Sequence, residues 1–145
     1  MANDFDLTPY REMVREMLTG VGLDPDECYV ADGDYWTATK GTAPIYIGFF
    51  HIHYDDGTVD WYMYVSGFLA AVPAENREAF YRTLLEEAAT RVGVKFYIGE
   101  QDEAWVEISR ELVGLDVEEA TRNMHRVANT ADELDDILKS RFGAQ

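Results

Sequence analysis

Much of what usually marks a protein's class is scarce in this 145-residue chain. It has one cysteine, Cys28, so no internal disulfide can form and a reducing compartment such as the cytoplasm is expected. A lone cysteine is more often a small buried apolar residue than a nucleophile. No apolar run approaches the roughly 20 residues needed to cross a bilayer. The start, Met1-Ala2-Asn3-Asp4-Phe5-Asp6, is acidic and lacks an apolar segment, so it does not read as a secretory signal. Basic residues are also few: 12 Lys and Arg against 28 Asp and Glu, a net charge of −16. Such a surface repels phosphate backbones and anionic lipid heads, so neither nucleic acid nor membrane is expected as a partner. There is no glycine-rich phosphate loop, paired-cysteine metal site, nucleophile elbow or His-Glu-x-x-His, so no enzyme and no cofactor is expected.

What is abundant is apolar and aromatic. Hydrophobic residues make up 47% and aromatics 13%, enough for a folded core in one domain spanning 1-145. Their densest stretch is Ile45 to Leu69, two aromatic and β-branched runs flanking Asp56-Gly57. That dipeptide predicts a two-residue hairpin turn with Asp55 opposite Thr58. In this register one face carries Tyr46, Phe50, Ile52 and Tyr54 with Val59, Trp61, Met63, Val65 and Leu69, and should lie under helices. The other carries Ile45, Ile47, Phe49, His51 and His53 beside Asp60, Tyr62, Tyr64, Ser66 and Phe68.

Helical periodicity marks three segments. Thr8 as cap and Pro9 at the first position open one with a stripe of Tyr10, Met13, Val14, Met17, Leu18 and Val21. Pro73 and Glu75 start a second, striped by Phe80, Tyr81, Leu84, Leu85, Ala88, Ala89 and Val92. Asp116 and Glu119 form a capping box for the third, whose stripe from Val117 to Phe142 follows a period near 3.5. Between the first two helices, Glu27 to Lys40 is extended around Asp32-Gly33, as a hairpin or as one strand with a bulge. Val94 to Ile98 and Ala104 to Ile108 alternate as a second strand pair. Strands joined by hairpins and grouped between helices predict an α+β fold with an antiparallel sheet, in the order α-β-β-β-α-β-β-α.

Two constellations suggest chemistry. His51-x-His53 with Asp60 opposite would place two imidazoles and a carboxylate on one sheet face, a candidate site for zinc or a similar ion. A simple cross-strand pair at half-exposed positions accounts for the same residues. The acidic clusters Asp24 to Asp26 and Asp132 to Asp136 lack the spacing of a calcium loop, and the second reads as a solvated helix face. More apolar surface faces both sides of the hairpin than three helices need cover. Ile45, Ile47, Phe49, Tyr62, Tyr64 and Phe68 are therefore the candidate surface for a partner or a second copy. A third possibility is a small-molecule sensor whose aromatic face closes over a ligand.

The C-terminal half carries a family resemblance. Gly93-Val94-Lys95-Phe96, Ala104-Trp105-Val106-Glu107-Ile108 and Leu112 are followed by Leu115-Asp116-Val117-Glu118-Glu119, then Ala131-Asp132-Glu133-Leu134 and Leu138. Together with the hairpin ending at Val72-Pro73, they resemble the YbjN family, described as candidate bacterial sensory transduction regulators, within the type III secretion (CesT/Tir) chaperone-like fold. Thr90-Arg91-Val92 departs from the family, many of whose chains have Leu-Asn there. The resemblance implies a small acidic cytoplasmic protein, a homodimer that holds a protein or peptide partner, with no catalytic residue to carry over.

Overall fold

A computed structural model describes residues 5–143; the acidic start at Met1 to Asp4 lies outside them. An antiparallel six-stranded sheet, in the order β1-β2-β3-β4-β6-β5, carries helices on one face. The elements are α1 (Thr8–Gly20), α2 (Pro25–Cys28), β1 (Tyr29–Val30), β2 (Tyr35–Lys40), β3 (Ala43–His53) and β4 (Val59–Ala71). They continue with α3 (Arg77–Thr90), β5 (Lys95–Ile98), β6 (Glu103–Glu111) and α4 (Val117–Phe142). The α+β class and antiparallel sheet are as expected, and the element order matches apart from the one-turn α2 and a fourth strand before α3. The extended stretch around Asp32-Gly33 resolves into the β1–β2 hairpin, its reversal aided by Asp34 in the left-handed region (φ 55).

α4 is the organising helix. Asp116 caps it by accepting the Glu119 amide at 2.8 Å, as the capping box predicts. Its stripe Ala120, Met124, Val127, Ala128, Ala131, Leu134 and Leu138 is buried. Small residues on that stripe let the helix approach β4 closely, where Gly67 lies against Ala131. α1 packs beside it through Val14, Met17 and Leu18. Leu7, not Thr8, occupies the cap position of α1; the Asp6 carboxylate accepts the Thr8 amide at 3.0 Å. α2 is a single turn capped by Asp24, and it buries Cys28, whose thiol burial pushes up in pKa.

Two expectations are corrected. The β3–β4 hairpin pairs His53 with Val59 and Phe49 with Met63, one residue away from the register that Asp55 opposite Thr58 would impose. The loop is longer than two residues. Gly57 donates its amide to the Tyr54 carbonyl with φ +89, Tyr54 donates to the Thr58 carbonyl, and Asp56 accepts from both the amide and hydroxyl of Thr58. A turn at Asp55-Asp56 followed by a left-handed glycine makes the three-residue loop with a bulge. One residue of slip moves a whole set of side chains to the other face. Ile45, Ile47 and Phe49 thus share the helix-covered face with Trp61, Met63 and Val65, and Ile45 and Ile47 are buried in the core.

The second correction concerns Asp135. It is not on the solvated side of α4 but 7% exposed, accepting from the Thr42 hydroxyl at 2.6 Å and the Lys139 ammonium at 3.2 Å. It ties the β2–β3 turn to α4.

Candidate functional site

The shift of register defines the open side of the sheet. The strand residues facing away from the helices include Tyr46 and Phe50 of β3, Tyr62, Tyr64 and Phe68 of β4, and Trp105 of β6. Their rings pave the surface: Phe50 stacks on Tyr62 (5.1 Å, 10°), while Phe68 and Tyr46 meet Trp105 edge-on at 5.4 and 5.7 Å. Each is half-buried, and among the described residues no helix covers them. Glu107 sits within this pavement, accepting from the Ser66 and Ser109 hydroxyls at 2.7 Å and ion-paired to Lys95 at 3.1 Å. Burial opposes its ionisation, but those donors outweigh it and hold its pKa below the usual carboxylate value.

A different feature lies at the sheet edge. β1 pairs only with Trp36 and Tyr35, so among the described residues no strand covers the outer edge of β2 beyond Trp36. Beside that edge opens a cavity of about 250 Å³, lined by Val21 and Leu23 after α1, Ala38 of β2, Ile45 and Ile47 of β3, and Met124 and Ala128 of α4. Lys40 and His125 stand at its polar rim.

The opposite end of the sheet carries a third surface. α3 buries only Phe80, Thr83 and Leu84; Leu85 of the expected stripe is 72% exposed, and Val92, expected in this helix, lies past its end at Thr90 and is 81% exposed. A shallow cleft beside Leu85, Tyr81 and Ala89 runs along it, and β5 next to it is the edge strand, with Ile98 exposed.

The six residues expected to form one partner surface therefore divide. Tyr62, Tyr64 and Phe68 lie on the open face; Ile45 and Ile47 line the edge cavity from inside the core. Phe49 packs against the core and lies under the Arg11 guanidinium. The metal constellation also divides. His51 and His53 adjoin each other (ring centroids 4.8 Å) on the helix-side face, whereas Asp60 pairs with Ile52 and faces the other way. Among the described residues no group of three or more His, Cys, Asp or Glu side chains is placed to hold a metal ion. Sequence reasoning missed the edge cavity, because its lining comes from four separate segments. It missed the outward face of α3 because its stripe looks like ordinary core.

A sheet with one helix-covered and one aromatic face, in this connection order, is the type III secretion chaperone-like fold. A chain of the ExsC–ExsE complex superposes with a TM-score of 0.62 at 12% identity, covering 92% of this chain and 97% of that one. A chain of the HopA1–SchA chaperone–effector complex does so with 0.62 and 12%, over 91% and 98%. The chain belongs to the YbjN family, described as "Putative bacterial sensory transduction regulator", whose profile matches residues 10–139. No curated protein matches the sequence. Among the described residues no helix is long and apolar enough to cross a membrane.

Proposed function

We propose that this protein is a non-enzymatic, chaperone-like or regulatory binding protein that holds an extended polypeptide at the β2 edge. The observation that carries this reading is the coincidence of unpaired strand edge and apolar cavity. An added strand would take its hydrogen bonds from the β2 backbone, and the cavity would accept one apolar side chain of the guest; main-chain bonds then supply affinity and the pocket supplies selectivity. The likeness to chains of an ExsC–ExsE and a chaperone–effector complex supports a polypeptide guest. The net charge of −16 would keep such a complex soluble, and the protein would act in the cytoplasm.

The same reading makes the protein a homodimer. Leu85 on α3, Val92 just beyond its end and Ile98 on the neighbouring edge strand offer an exposed apolar surface at the end of the sheet opposite to the guest edge. Two copies related by a twofold axis would cover it with itself.

Affinity capture from the bacterial host, compared between the native chain and Ala38→Phe, tests the guest site. A phenylalanine at 38 fills the cavity from its own wall. Guests recovered equally by both proteins, with Ala38→Phe still folded by circular dichroism, would remove the edge as the holding site.

A further inference from the structure

The open aromatic face carries a charge pattern of its own. Strand alternation puts Asp60, Glu103, Glu107 and Glu111 on this side of the sheet, against one basic residue, Lys95, whose ammonium is already paired with Glu107. The carboxylates stand among and around rings whose faces attract cations: Tyr62 is the cross-strand partner of Glu111, and Asp60 lies two residues before it. We infer that this face binds a basic polypeptide segment whose arginines or lysines alternate with apolar side chains. The cations would lie over Tyr62 and Tyr64 and beside Asp60 and Glu111, and the apolar anchors would cover Phe68 and Trp105.

Charge excludes the other occupants. A second copy docked face to face would set four carboxylates against four, each on a chain of net charge −16. A nucleic acid would bring its phosphates to the same carboxylates. Only a partner of opposite sign satisfies the rim while covering the rings. This surface lies on the other side of the sheet from the cavity beside β2 and does not depend on the strand-edge reading.

The test uses the full chain and two synthetic 12-residue peptides, one alternating arginine with leucine and its counterpart with glutamate in place of arginine. Binding is followed by amide chemical shifts and by tryptophan fluorescence with and without Trp105→Phe. The arginine peptide is expected to shift Tyr62, Tyr64 and Trp105 signals and to lose about tenfold in affinity in Asp60→Lys/Glu111→Lys. It should bind Glu16→Lys/Asp136→Lys, the same charge change on the helical side, about as well as the native chain. It should also bind Ala38→Phe normally, since that change blocks only the edge cavity. Equal binding of the glutamate peptide, or equal weakening by the two charge-reversed pairs, would overturn the proposal. So would loss of binding in Ala38→Phe with the face variants unaffected, and that result would leave the strand-edge reading standing alone.

Discussion

The ring of Tyr64 lies across Gly48, its cross-strand partner on β3: a Cβ at residue 48 would come 2.6 Å from the Tyr64 hydroxyl oxygen and 2.7 Å from its ring. Glycine in mid-strand here permits a large side chain to lie flat on the sheet. Gly48→Ala must push the ring away from the surface. The expected cost is about 1–3 kcal/mol, typical of an added methyl in a filled space. Urea denaturation measures it. Tyr64→Ala in the same background should remove most of that cost, because the clashing atoms are gone; purely additive effects would contradict the contact.

Long periodic segments were legible in the sequence. α4, with its Asp116 cap and its stripe of small and branched residues, lies where the pattern places it, because capping and burial act together there. The hairpin was legible as a hairpin but not in register, since Asp56-Gly57 fits both a two-residue turn and the second half of a three-residue loop. The difference is one hydrogen bond at Tyr54, and it decides on which side of the sheet Ile45, Phe49, His51 and Asp60 lie. Tyr62, Tyr64 and Phe68 do share one sheet face, as the hairpin pattern predicts, but Ile45, Ile47 and Phe49, expected beside them, lie on the other. The β2 edge was hidden for another reason: an unpaired edge is a property of topology, and a two-residue β1 leaves no pattern in the chain.

Arg11 of α1 grips Asp34 in the β1–β2 turn with two bonds of 2.7 and 2.6 Å, and the Tyr29 hydroxyl donates to the same carboxylate at 2.6 Å. The Arg11 guanidinium holds the Asp34 pKa down to about 2, below the ordinary value near 3.9. A depressed carboxyl stabilises the fold above its unfolded pKa, and that stability is lost as pH falls through the folded one. The contribution is therefore complete above about pH 4 and disappears between about pH 4 and pH 2. With the Asp34 side chain 49% exposed, solvent screening limits it to about 1 kcal/mol or less. Asp34→Asn keeps the left-handed backbone accessible and should flatten the acid limb of the denaturation midpoint over that window. An unchanged acid limb would mean the pair contributes nothing measurable.

Gly67 of β4 faces α4 so closely that a Cβ there would lie 2.8 Å from the Cβ of Ala131, and 3.2 and 3.3 Å from Val106 and Val127. All three neighbours are core atoms with no room to retreat. Gly67→Ala is expected to destabilise by about 1–3 kcal/mol. Ala131→Gly alone should cost about 1 kcal/mol through helix propensity. Combined, the two should cost less than their sum, because the second removes the atom that the first strikes. A double-mutant cycle in urea gives the coupling directly; zero coupling would show that α4 shifts as a body instead.

The outward face of α3 supplies the last expectation. α3 is held to the rest of the chain by Phe80 against Phe142 and by the Arg77–Asp102 pair, leaving Leu85 and Val92 free of any contact that would bury them. Apolar side chains at such exposure contribute nothing to the isolated fold, and burying both against a twofold mate would yield roughly 1.5–3 kcal/mol for each side chain fully covered. Leu85→Glu/Val92→Glu should therefore leave the thermal midpoint of the isolated chain nearly unchanged. Its solution mass should drop from dimer to monomer, because the two new carboxylates on each copy would face each other across the axis. Light scattering over a dilution series reads the mass, and circular dichroism at the lowest concentration reads the fold. A native chain already monomeric across that series, or a dimer that survives both glutamates, would place any self-association away from α3.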